Sequence, residues 1–125
     1  QVKPVVSTKD ILKARASLRE IYMDEKIERY ILDIVFSTRD PKAANLPNLE
    51  NLINYGASPR ATISLALASK AYAFIKRRGY VIPEDVRAVA MDVMRHRIGV
   101  TYEAEADNVT AEQIINDLLK VVDVP

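Results

Sequence analysis

Arg60 is the residue of this sequence whose position best suits it for chemistry. It is expected one residue inside a helix that begins at Pro59, where Ser58 supplies the capping oxygen and Gly56 permits a sharp turn. The positive end of the helix dipole disfavours a cation there by about 0.3–1 kcal/mol, so an arginine makes sense if an anion also binds. Free N–H groups and a planar guanidinium together favour phosphate. The alternative is a surface ion pair with Glu50, which would contribute little to stability.

Other residues that could do chemistry have simpler structural explanations. His96 is the only histidine, with no second ligand for a metal and no nucleophile to activate, so we expect it to pack at a helix end. The basic run 76–78 suits the negative end of a helix, and the acidic run 103–107, expected to be a linker, lacks the pattern of a calcium loop. Glycine-rich phosphate loops and serine-hydrolase motifs are absent. We therefore predict no metal site.

The composition is that of one ordinary globular domain. The 125 residues are 49% hydrophobic and 28% charged, and 18 lysines and arginines nearly balance 17 acidic residues. A net charge of +1 argues against a general nucleic-acid binder. Because there is no cysteine, disulfides and thiolate metal sites are excluded, and a reducing, cytoplasmic location is expected. No apolar run approaches the roughly 20 residues of a membrane span.

Hydrophobic periodicity predicts an all-α fold, a bundle of about five helices. The third helix, 59–78, is apolar nearly all round, which is typical of a central buried helix, and Gly79 is its expected stop. Residues 40–55 are expected to form a long loop with one helical turn. Short extended pieces at 21–23 and 80–82 could pair as two strands. The other predicted helices cover 8–20, 24–38, a segment that starts at Pro83, and a last segment after Thr110 with Ile114, Leu118 and Val122 inward.

The string around Arg60 carries a family resemblance. Residues 56–61, Gly-Ala-Ser-Pro-Arg-Ala, resemble the start of the sensor-2 helix in MoxR-type AAA+ ATPases. The resemblance covers only the C-terminal lid of such an ATPase, because the Walker motifs, sensor 1 and the arginine finger belong to a separate core domain. Residues 1–6, which start without an initiator methionine, would then be an interdomain linker, and 7–125 the helical lid. The further matches are Tyr30-Ile31, Thr38-Arg39, Lys70-Ala71, Tyr80-Val81, Pro83-Glu84-Asp85-Val86 and His96-Arg97-Ile98.

This resemblance implies a role for Arg60 in ATP hydrolysis. Arg60 would reach the γ-phosphate of ATP, bound with Mg²⁺ mainly by the core domain, while Ala57, Ser58 and Pro59 shape the helix start that aims it. The implied partners are the protein's own core domain, neighbouring subunits of a hexamer, and a client protein whose maturation the ATPase assists. The 125 residues alone would have no ATPase activity, and neither a membrane nor a nucleic acid is an expected partner.

Two positions depart from the family pattern. The family usually has Gly-Arg before the Tyr-Val pair, whereas Arg77-Arg78 precede Gly79 here, and it often caps the next helix with Thr, where this chain has Ile82. Acidic residues in the first turn after Ile82 must therefore stabilise that helix. Arg39 also matches the family, and both a helix-end contact and a functional role are open for it. Packing at a helix end is the role expected of His96-Arg97.

Two other functions fit parts of the sequence. A stand-alone helical adaptor would bind a partner protein through an exposed apolar stripe, which the sequence alone does not identify. A DNA-binding domain would need a basic recognition helix, and the fourth helix has Arg87, Arg95 and Arg97 beside several acidic residues. A Gly-x-x-x-x-Gly-Lys-Ser/Thr motif encoded upstream of Gln1 would decide in favour of the ATPase.

Overall fold

Six α-helices and one two-stranded sheet make up the structure of residues 1–125, a computed structural model. The predicted helical bundle is thus confirmed, with one short helix more than expected. Short 3₁₀ helices occupy Leu18–Glu20 and Pro47–Leu49. No helix is both long enough and apolar enough to cross a membrane. The helices are α1 (Thr8–Ser17), α2 (Glu25–Arg39), α3 (Pro59–Ile75), α4 (Pro83–Met94), α5 (Tyr102–Ala106) and α6 (Ala111–Val121); the strands are β1 (Ile53–Tyr55) and β2 (Gly99–Val100).

Four of the helices build the core. α3 and α6 each pack on both α2 and α4. The buried positions recur at helical spacing, as in α6, where Ile114 and Leu118 face inward as predicted. A second, smaller cluster forms where Leu46 and Leu49 of the long loop meet α6. The largest side chains that are almost fully buried include Tyr30, Ile31, Ile34, Leu49, Leu65, Met94, Ile114, Ile115 and Leu118.

The small sheet was not predicted. β1 lies inside the segment expected to be a loop and pairs antiparallel with β2, next to the hydrogen bond from Thr101 Oγ1 to the Asn51 carbonyl at 2.8 Å. The pairing expected between 21–23 and 80–82 is a single parallel bridge between Tyr22 and Tyr80. The expected acidic linker is wrong in part, because Thr101 caps the short helix α5 within it.

The end of α3 differs from the prediction. The helix stops at Ile75, and Arg77, not Gly79, takes the left-handed conformation, with φ of 62°. The N–H of Arg78 donates to the Ala73 carbonyl at 2.9 Å and that of Arg77 to the Phe74 carbonyl at 2.9 Å, the pattern of a Schellman turn. The turn therefore forms two residues before the glycine.

Burial of two helices also differs from expectation. α1 begins with a capping box between Ser7 and Asp10, but none of its residues is buried, and Ile11 is 51% exposed. α3 is central but not buried all round, because Ile63 and Leu67 are 63% and 58% exposed. Only one face of α3 enters the core, the face with Ala61, Leu65, Ser69 and Ala73.

Candidate functional site

The start of α3 is held in place by the end of α2. The buried Thr38 hydroxyl donates to the Val35 carbonyl at 2.6 Å and accepts the N–H of Ala57 at 2.9 Å. Gly56 has no positive φ, so the sharp turn predicted there does not depend on its conformational freedom. Its role is close packing, because a Cβ at Gly56 would lie 2.6 Å from the carbonyl carbon of Thr38. The approach of two backbones fixes where α3 begins.

Ser58 and Pro59 form the first turn without a side-chain cap. Ser58 has the extended backbone of an N-cap residue, φ −76° and ψ 167°, and Pro59 takes the first helical position as predicted. The predicted capping bond from the Ser58 hydroxyl is absent, so that part of the prediction is wrong. The N–H of Ala61 donates to the Ser58 carbonyl at 2.9 Å, whereas the N–H of Arg60 has no acceptor in the chain. The first turn of α3 thus keeps one free donor, the N–H of Arg60.

Arg60 is exposed and has no ionic partner. The three ion pairs of the structure join Arg29 to Glu25, Arg78 to Asp85 and Arg95 to Asp92. The alternative pairing of Arg60 with Glu50 does not form. Arg60 therefore combines an unpaired guanidinium with an unpaired backbone N–H at the positive end of α3, an arrangement that fits an anion such as phosphate.

Arg39 lies at the same junction. It is the last residue of α2 and lines an open depression of about 360 Å³ beside Gly56 and Ser58, with Asp40 and Glu50 at its rim. Arg39 is exposed and takes part in no ion pair. The structure thus brings a second free arginine to the region around the start of α3, which sequence spacing did not reveal. No group of three acidic, histidine or cysteine side chains is placed to hold a metal ion.

A buried ion pair at the start of α4 was missed by the sequence analysis. Arg78 donates through both terminal nitrogens to the two carboxylate oxygens of Asp85, each at 2.6 Å, and the N–H of Ile82 donates to Asp85 at 2.9 Å. Burial raises the pKa of Asp85, but the hydrogen bonds from Arg78 and Ile82 outweigh it and hold the pKa below its ordinary value. Asp85 thus stabilises the first turn of α4, as predicted for its acidic residues, because the side chain of Ile82 has no group that can cap the helix.

Two arginines, one in α4 and one just after it, donate hydrogen bonds to other groups of the chain. Arg97 donates to the Val93 carbonyl at 3.0 Å and to the Ser64 hydroxyl at 3.3 Å, so it ties the end of α4 to α3 as expected of a packing residue. Arg87 donates to the Leu119 carbonyl at 2.8 Å. His96 is exposed in the turn after α4, so the prediction that it packs there is wrong.

Comparison with known protein families gives one match. The model of the AAA lid domain matches residues 48–118, which include β1, the start of α3, and the Arg78–Asp85 pair. The chain belongs to the AAA lid domain family. The resemblance of the sequence to such a lid is thereby confirmed.

Relatives of this lid include MoxR proteins. It is 35% identical over its whole length to "Chaperone MoxR1" of Mycobacterium tuberculosis, of which it covers 33%, and 40% identical over 76 residues to "Protein MoxR" of Paracoccus denitrificans. That second match covers 58% of the chain and 22% of the relative. The crystal structure of a "putative ATPase" from Cytophaga hutchinsonii superposes with a TM-score of 0.94 and 42% identity, over the whole chain and 38% of that protein. The chain spans about a third of the length of its full-length relatives.

Proposed function

We propose that this lid serves a MoxR-type AAA+ ATPase by presenting Arg60 to the γ-phosphate of ATP bound by a separate core domain. The observation that carries the proposal is the exposure of Arg60 with no ionic partner, at a helix N-terminus where its own N–H has no acceptor. A cation at that position opposes the helix dipole, so its favourable partner is an anion from outside the lid.

Three residues of the lid position that arginine, each in a different way. Thr38 anchors Ala57, Gly56 lets the end of α2 approach, and Pro59 fixes the first turn of α3. ATP with Mg²⁺, held by the core domain, supplies the phosphoryl group. The guanidinium of Arg60 stabilises negative charge on that group, because its planar donors match phosphate oxygens.

The lid has no catalytic activity of its own in this proposal. It contains no phosphate loop, and one arginine with one helix end is a small part of a nucleotide site. Because a relative of the lid is named a chaperone, we propose that lid movement couples hydrolysis to the maturation of a client protein. The assembly is proposed to be a cytoplasmic ring of six subunits.

The decisive experiment compares arginine variants in the full-length ATPase. Arg60→Ala is expected to lower ATP turnover by about 10³–10⁵, the contribution of arginines directed at a transferred phosphoryl group. Arg60→Lys is expected to recover only part, because an ammonium lacks the planar fork. Arg95→Ala is the matched control, since Arg95 is a surface arginine that pairs only with the nearby Asp92. Near-normal turnover of Arg60→Ala would refute the proposal.

The structure does not favour the DNA-binding alternative. The arginines that would form a basic recognition surface on α4 are each engaged inside the chain, Arg87 with Leu119, Arg95 with Asp92 and Arg97 with Ser64. With its net charge of +1, the domain offers no free basic helix to a phosphate backbone.

A further inference from the structure

The turn that ends α3 contains an arginine in an unfavourable backbone conformation. Arg77 has a φ of 62°, in the left-handed region that residues with a Cβ rarely adopt and that glycine adopts readily. Helices most often end on a glycine at this position. The chain has a glycine two residues later, Gly79, whose φ is not positive. A bulky residue at the strained position indicates that its side chain has a use beyond the turn itself.

Contacts within the chain do not explain Arg77. The next residue, Arg78, donates to Asp85 through both terminal nitrogens, whereas Arg77 is exposed and its side chain makes neither an ion pair nor a hydrogen bond. The helix dipole favours a cation at the end of α3, but Lys76 already provides one there at a negative φ. We therefore expect the partner of the Arg77 guanidinium to come from outside the chain.

Exposed apolar side chains flank the Arg77 turn along the chain. Ile75 is 73% exposed and Tyr80 is 52% exposed. Tyr22, 62% exposed, is joined to Tyr80 by the parallel bridge, in which the N–H of Tyr22 donates to the Gly79 carbonyl at 2.8 Å. We call Ile75, Lys76, Arg77, Tyr80 and Tyr22 the α3 end patch. It combines apolar surface with two cations that form no ion pair, which is typical of an interaction site.

The charges of the α3 end patch favour an acidic protein segment over a nucleic acid. Carboxylates complement Lys76 and Arg77, and the planar guanidinium can hold a carboxylate by two hydrogen bonds. A nucleic acid would stack its bases on the tyrosines. The hydroxyl of Tyr22, however, donates to the Asp24 carboxylate at 3.0 Å, so a negative charge lies beside that ring and would repel a phosphate backbone.

We propose that the α3 end patch binds an acidic, apolar segment of the client protein. Carboxylates of the segment pair with Arg77 and Lys76, and an apolar side chain of the segment packs on Ile75. The inference rests on the proposed function and adds the chemistry of its client. Because α3 has 17 residues and is about 25 Å long, nucleotide at Arg60 and client at Ile75 meet opposite ends of one helix. A lid movement driven at one end therefore moves the segment bound at the other.

The site can be tested by peptide binding to the full-length ATPase. The probe is a fluorescein-labelled peptide of alternating glutamate and leucine, and fluorescence anisotropy gives its Kd. A peptide of alternating lysine and leucine, with the same apolar residues, is expected to bind at least about tenfold more weakly. Added salt should weaken binding of the glutamate peptide, because the charges of the patch are exposed to solvent.

Arg77→Gly separates binding from stability. It removes the guanidinium and relieves the strained backbone, so the Kd for the glutamate peptide should rise at least about tenfold while the unfolding temperature stays the same or rises. Arg77→Lys keeps a charge at the same backbone position and should recover part of the affinity. The control is Arg95→Ala, which removes an exposed arginine that pairs with Asp92 and should leave the Kd unchanged.

The outcomes also separate this inference from the proposed function. Equal affinity of Arg77→Gly and Arg95→Ala for the glutamate peptide would overturn the site. A lower unfolding temperature of Arg77→Gly would assign Arg77 to the fold, and tighter binding of the lysine peptide or of an oligothymidylate would overturn an acidic segment as the occupant. If Arg60→Ala still abolishes turnover in any of these cases, the proposed role of Arg60 stands without this site. Normal turnover of Arg60→Ala would refute the proposed function whatever the peptides show.

Discussion

The starts of α3 and α4 have the same backbone arrangement, but they differ in the charged side chains near their first N–H groups. Each has a proline in the first helical position after an extended residue, Ser58 or Ile82, whose side chain makes no capping bond. At α4 the chain supplies its own anion, because the fully buried Asp85 accepts the N–H of Ile82 and both arms of Arg78. At α3 the first turn holds a cation, Arg60, and no acidic residue. The start of α4 is thus satisfied by groups of the chain itself, whereas the start of α3 keeps a free N–H and an unpaired arginine that a ligand could use.

The largest stability effect is expected at α4. Asp85→Ala leaves the Arg78 guanidinium, only 24% exposed, without its partner and the Ile82 N–H without an acceptor. Removing one member of a buried pair costs about 3–5 kcal/mol, and because water reaches Arg78 we expect the lower end, about 3 kcal/mol in the free energy of unfolding, measured by urea denaturation. Asp92→Ala, which breaks the exposed pair with Arg95, should change it by less than about 0.5 kcal/mol. Similar values for the two variants would show that the α4 pair does not stabilise the fold.

Acid should weaken α4 and leave the start of α3 unaffected. The pKa of Asp85 is lower in the folded chain than its ordinary value of 3.8, so folding favours the ionised form. The stability that Asp85 contributes is therefore complete above pH 3.8 and is lost as the pH falls through the lower folded pKa. In urea titrations, Asp85→Asn should lose stability less steeply than the wild type below pH 3.8, whereas Arg60→Ala should keep the wild-type dependence. Parallel curves for Asp85→Asn and the wild type would contradict this assignment.

Two glycines provide a matched test of how the helix starts are packed. Gly56→Ala forces a Cβ into the backbone of Thr38 and should lower the free energy of unfolding by about 1–3 kcal/mol. Gly79→Ala meets no atom within 4 Å and has no positive φ. It should be neutral or stabilising by up to about 1 kcal/mol, because alanine restricts the unfolded chain. If both variants have the same stability, the close approach of α2 to α3 is not a constraint.

The smallest effect is expected for Arg60 itself. Arg60→Ala removes a cation from the positive end of α3 and breaks no contact, so the free energy of unfolding should stay the same or rise by about 0.3–1 kcal/mol. Thermal or urea unfolding of this chain measures the change. A loss comparable to that of Asp85→Ala would show that Arg60 belongs to the structure and not to a ligand site.

Local signals predicted much of this fold and the position of Arg60. The starts of α2, α3 and α6 followed from Asp24, Pro59 and Thr110, because caps and prolines act within a few residues. The sheet was missed because β1 and β2 are three and two residues long and far apart in the chain, too short for a periodic pattern.

Burial was the least predictable property. Apolar composition predicted a fully buried α3, since a sequence pattern does not distinguish an apolar face that enters the core from one that stays exposed. The bidentate pair of Arg78 and Asp85 was likewise missed, because the sequence shows the two charges but not the turn at Arg77 that brings them together. Ile82, a residue that cannot cap, was the one available signal that Asp85 had to act in its place.

The lack of burial in α1 has a mechanical consequence. A helix of ten residues is marginally stable by itself, and α1 lends no side chain to the core, so its unwinding leaves the core helices folded. Its amide protons should exchange with deuterium at lower free energy than those of α2. The ten residues span about 15 Å as a helix and up to about 33 Å when extended. α1 can therefore change its length without disturbing the core helices, which makes it a compliant segment of the lid and not a rigid one.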